Sequence, residues 1–75
     1  MEPKTRTRQF IEELERLSCG TVTAWPDGDK HILARYYEEG KPRVNYKIEI
    51  LVIEYSTLSP EYLAYEVIHN CLIKE

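Results

Sequence analysis

Four residues of this 75-residue chain carry side chains that could hold a metal or attack a substrate: Cys19, His31, His69 and Cys71. Zinc sites place such ligands at short, fixed spacings, and these four follow none of them. His69 and Cys71 are two residues apart, so on a helix their side chains diverge by about 200° and cannot share an ion. Covalent catalysis would call for a nucleophile elbow or paired carboxylates, and phosphate chemistry for a glycine-rich loop. The sequence has neither. A chain this short also has little interior for a closed active site. These residues therefore point to a non-enzymatic domain with no cofactor, no metal and no small-molecule substrate. The two cysteines lack the spacing of a disulfide framework and are expected as reduced, mostly buried thiols.

Lys4, Arg6 and Arg8 are the residues that could meet phosphates, with residues 1–5 forming a flexible basic arm. The rest of the chain offsets them. From Arg43 onward Arg43, Lys47 and Lys74 stand against Glu49, Glu54, Glu61, Glu66 and Glu75, and the net charge is −3. Nucleic-acid affinity is driven largely by counterion release from a basic surplus, so this balance disfavours such a partner. The longest apolar run, Ile50–Ile53, is far too short to span a bilayer, and the start has no apolar core of a secretory signal. A cytoplasmic protein with no membrane role is the expectation.

The elements that must position these residues follow from periodicity. Phe10, Leu14 and Leu17 form one helical stripe, which predicts a helix over residues 5–18 with Gly20 just past its end. Thr21–Trp25 is β-branched and aromatic, and Pro26-Asp27-Gly28-Asp29 has turn chemistry. Residues 30–37 alternate as a second strand, and 38–42 form a second turn. Arg43–Tyr55 then reads as one long strand. Its first half alternates, whereas Ile50, Leu51, Val52 and Ile53 make both faces apolar. Ser59-Pro60-Glu61 supplies an N-cap, a proline at the first helical position and an acid in the first turn of a last helix reaching about Lys74. Leu58 and Leu63 fit a hydrophobic staple at its start. The fold class is α+β in the order α-β-β-β-α: a three-stranded antiparallel meander with both helices on one face, a two-layer sandwich in a single domain over residues 1–75.

That element order resembles the double-stranded-RNA-binding domains, which read duplex shape with a loop histidine and a lysine cluster at the start of the second helix. His31, just after the first turn, stands for the loop histidine. At the lysine position this chain has Ser59-Pro60-Glu61-Tyr62-Leu63-Ala64, and a carboxylate there repels phosphate. The resemblance covers element order without a motif. It makes nucleic-acid binding, through Lys4, Arg6, Arg8 and His31, the alternative reading.

The leading reading comes from surplus apolar surface. In a meander the third strand lies at an edge, and edges are normally short, charged or blocked because free N–H and C=O groups recruit other chains. Here the expected edge is the longest and most apolar strand. The last helix carries a wider apolar arc than one sheet face needs. Leu51, Ile53, Tyr55, Tyr62, Tyr65 and Leu72 are therefore expected to bind a protein partner. The domain would be a small adaptor, inhibitor or regulatory subunit, acting through a β-edge and the C-terminal helix as a homodimer.

Overall fold

The computed structural model describes residues 5–72. The chain runs α1 (Arg6–Leu17), β1 (Val22–Asp27), β2 (His31–Tyr36), β3 (Val44–Glu49), α2 (Ile50–Glu54) and α3 (Pro60–Val67), and α3 continues as a π-helical segment, Ile68–Leu72. The strands form one antiparallel sheet in the order β1-β2-β3. This is the α+β meander that the sequence predicts. The expected end of the last helix near Lys74 and the basic arm lie, in whole or large part, outside the described residues.

Strand alternation sends one set of side chains to a common face: Val22 and Ala24, Ile32, Ala34 and Tyr36, Val44 and Ile48. All are buried or packed against the core, which also takes Phe10 and Leu14 from α1, Ile53 from α2, and Ala64, Ile68 and Leu72 from the C-terminal helix. The helical layer thus covers this one face. α1 lies on β1 and against α3, and the π-helical segment reaches β3.

The caps explain where α1 begins and ends. Thr5 accepts from the Arg8 N–H through its hydroxyl oxygen at 3.2 Å, as an N-cap does. At the other end the Gly20 N–H donates to the Glu15 carbonyl and the Cys19 N–H to that of Arg16, which is a Schellman closure. The left-handed C′ residue is Cys19, at φ +55°, and Gly20 follows it. The sequence places Gly20 nearest that role. Cys19 is exposed here rather than buried, and both cysteines are free thiols.

The sequence also predicts a strand through Tyr55, and β3 instead stops at Glu49. The register gives the reason. Glu49 lies opposite His31, the first residue of β2, and the Ile50 N–H makes a last bond to the Lys30 carbonyl at 2.8 Å. Beyond that point β2 has turned away, so a longer β3 would leave its backbone unpaired. Residues 50–54 satisfy their own backbone as helix α2, with Ile53 inward. β1, by contrast, runs further than the sequence predicts and includes Pro26 and Asp27.

α2 is short, and two side chains of α1 hold it. Arg6 donates through Nε to the Ile53 carbonyl at 3.2 Å, and through its Nη2 to the carbonyls of Ser56 and Leu58. In return a Glu54 carboxylate oxygen accepts from the Thr7 N–H at 2.8 Å and from the Thr7 hydroxyl. α1 has no acid of its own in its first turn, so Glu54 supplies the charge that the helix N-terminus favours. These bonds to Thr7, then the nearby Arg6 cation, hold the Glu54 carboxyl below its ordinary range.

Two stability predictions follow from these ends. Glu54→Gln should cost about 1–2 kcal/mol near neutral pH, the scale of a lost charged cap. Because the folded-state value is lowered, the unfolded chain takes up the proton first, so this contribution is full above about pH 5 and fades as pH falls through the folded value. Thermal unfolding of both proteins across that range should show the gap closing only on the acid side. Cys19→Gly should stabilise by roughly 0.5–1 kcal/mol, since glycine tolerates the left-handed C′ position without the steric cost of a Cβ. Denaturant titration checks it.

Candidate functional site

The six residues expected to bind a partner divide between the surface and the core. Leu51 is 64% exposed and Tyr55 81%, and Val52 joins them on the outer side of α2. Tyr62 and Tyr65 stand exposed on α3. Ile53 and Leu72, however, are 1% and 2% exposed and belong to the core. Their assignment to a partner surface is corrected. With residues 50–54 helical, Ile53 turns inward while Leu51 and Val52 turn out, and the inward arc of the last helix reaches Leu72 beside Ile68.

The exposed residues form two patches. α2 is tied to Arg6 and Thr7 at the start of α1. Tyr62 and Tyr65 instead line a shallow cleft of about 400 Å³ with Leu17 at its end, where Arg16 also reaches Glu61 at 3.6 Å. The two anchor points are about 15 Å apart along α1, at 1.5 Å per residue. In the second patch the Tyr65 and His69 rings pack at 4.3 Å between centroids, and a hydrogen bond to Glu66 raises the Tyr62 phenol pKa.

Of the residues nominated for nucleic acid, Lys4 lies outside the described residues. Arg6 is committed to three main-chain carbonyls and is a fold residue. Arg8 is exposed. His31 opens β2 beside a cleft of about 480 Å³ whose charged lining is mixed, with Asp29 and Glu49 against Lys30. Among the described residues no three metal-ligand side chains converge, and none of their helices is long and apolar enough to cross a membrane.

The sheet edges show what the side-chain reading missed. In an antiparallel ladder alternate residues turn both main-chain groups to the same neighbour. The Tyr37 N–H bonds to the Thr21 carbonyl at 3.0 Å, so Thr23 and Trp25 of β1 face β2, and Val22, Ala24 and Pro26 face outward. That edge is largely closed: the Val22 N–H donates to the Ser18 hydroxyl at 3.0 Å and Pro26 has no N–H. On β3 the Ile50–Lys30 bond sets the phase, so Val44, Tyr46 and Ile48 face β2 while Asn45, Lys47 and Glu49 turn their main-chain groups outward. None of the hydrogen bonds outside the helices and strands uses them, and the Glu49 carbonyl, as the N-cap of α2, serves the first turn of that helix. The alternating polar residues of β3 carry this signal in the sequence, because they mark both the uncovered side-chain face and the outward main-chain groups.

The sheet face away from the helices is open. On it Arg35 lies over the Trp25 ring at 5.1 Å and donates to the Asn45 amide oxygen at 2.9 Å, while Lys47 pairs with Asp27 at 3.2 Å. At the β2–β3 connection Arg43 lies over the Tyr37 ring at 5.3 Å. Its charges are mixed and largely paired within the sheet.

No protein-family model matches this chain, and comparison with curated proteins and with solved structures gives no match either.

The split between core and surface has a direct test. Ile53→Ala should cost about 3 kcal/mol as a buried large-to-small change, while Leu51→Ala should stay within about 0.5 kcal/mol. Ile53→Lys should prevent folding rather than report on partner binding. Urea unfolding followed by far-UV circular dichroism distinguishes the three.

Proposed function

We propose that this chain is a non-enzymatic protein-interaction domain that takes an extended protein segment, its own or another chain's, onto the β3 edge. The observation that carries the reading is the outward main-chain groups of Asn45 and Lys47 with the Glu49 N–H, on a sheet whose other edge keeps only the Ala24 N–H of its three outward positions. Strand addition of this kind gains affinity from main-chain hydrogen bonds and specificity from alternate side chains. The exposed Leu51, Val52 and Tyr55 directly after β3 supply apolar area beside that edge, and the Tyr62–Tyr65 patch on α3 supplies a second contact surface. A small adaptor, inhibitor or regulatory subunit of the cytoplasm fits this surface, and self-pairing fits it as a homodimer.

Lys47→Pro tests it. The Lys47 N–H points away from β2, so proline there removes an edge donor while sparing the β2–β3 ladder, as Pro26 does on β1. Sedimentation over a range of concentrations should show wild type above the 8.9 kDa chain mass and the variant at it, with similar circular dichroism for both. An assembly that ignores Lys47→Pro overturns edge docking.

A further inference from the structure

We infer that the occupant of the β3 edge is β3 of a second copy, antiparallel, with the two-fold axis at Tyr46 and Arg43 of each copy facing Glu49 of the other. This rests on the edge-docking reading above and adds the partner and the register. Two main-chain rows can bond only if outward residues meet outward residues, so odd-numbered positions face odd-numbered positions. Few registers remain. An axis at Lys47 sets Lys47 against itself. An axis at Asn45 sets Lys47 against Arg43, and one at Val44 sets it against Lys41. Like charges directly opposite destabilise a strand pair. An axis at Ile48 or beyond runs the partner strand into α2, which begins at Ile50.

Only the axis at Tyr46 avoids all of these. It faces Asn45 with Lys47 and Arg43 with Glu49, so the one charged pair is of opposite sign and occurs twice by symmetry. On the helix-covered side it brings Tyr46 against Tyr46 and Val44 against Ile48. The Tyr46 pair is a non-hydrogen-bonded one, the closer of the two spacings in an antiparallel ladder. Tyr46 is 39% exposed, and its phenol is hydrogen-bonded to Cys71 of the C-terminal helix, which leaves the outer part of the ring for this contact. Arg43 and Glu49 are also free to take part without loss of the fold. Arg43 is exposed and touches Tyr37, itself exposed, and Glu49 makes no side-chain capping bond to α2.

Charge reversal tests the register. Arg43→Glu alone sets Glu against Glu49 at two places, and Glu49→Arg alone sets Arg against Arg43 at two places. Each single variant should dissociate about tenfold or more readily than wild type, as expected when two facing pairs change sign. Arg43→Glu with Glu49→Arg in one chain should restore dimerisation. So should an equimolar mixture of the two single variants, in which every facing pair is again of opposite sign. Rescue by mixing cannot arise from misfolding of either variant. Sedimentation equilibrium reads each outcome. A dimer that ignores the reversals but still yields to Lys47→Pro overturns the register and leaves edge docking standing. A wild type that is monomeric at every concentration overturns the second copy as the occupant.

Discussion

The length and phase of β2 govern this molecule. β2 is the one strand with a neighbour on each side, and it offers six residues of pairing, His31–Tyr36. After the Ile50 N–H, which still reaches the Lys30 carbonyl, the main chain has to find hydrogen bonds elsewhere, because the central strand has given way to the Gly28-Asp29-Lys30 turn. The chain answers by coiling at Ile50. That coil turns Ile53 inward and carries Glu54 and the carbonyls after it to the start of α1. The mutual capping of α1 and α2 is thus a consequence of where a neighbouring strand begins, and it fixes the entry point of α3.

Such a layout leaves a small protein with one covered face. Among the described residues the core consists of ten buried ones drawn from every helix and strand. A domain of this length buries a smaller fraction of its surface than a larger one and is correspondingly marginal. Bonds that lie far apart in sequence, such as Thr7 to Glu54, therefore carry more of the structure's definition than they would in a larger fold. Across the opposite face of the sheet run lateral contacts: Arg35 on Trp25 and Asn45, and Lys47 on Asp27.

What the sequence made legible divides along the same line. Local signals read correctly: Ser59-Pro60-Glu61 announces α3 because capping is settled within one turn, and Phe10 and Leu14 mark the buried stripe of α1. The run Ile50–Ile53 did not, since four apolar residues in a row suit a buried strand or a helix equally well. The deciding fact, the first residue of β2, lies some twenty positions away. Ile53 and Leu51 then exchanged roles, because a helix sends them to different sides. Arg6 reads as a free cation in sequence, and only the fold brings three carbonyls to it. The β3 edge was legible as an edge, but its donors belong to the polar residues Asn45, Lys47 and Glu49 rather than to the apolar run beyond.

The inequality of the two sheet edges sets the size that any assembly built on them can reach. A filament forms when one surface of each molecule binds a different surface of the next, leaving a fresh copy of the first always free. Here Pro26 and the Ser18 hydroxyl take away two of the three outward N–H groups of β1, so a strand added at β3 meets no equivalent site on the far side of the sheet. Growth by strand addition ends with the first event. Under the proposed strand addition, a sheet with one open border is completed but not propagated, a layout that works against fibrous aggregation.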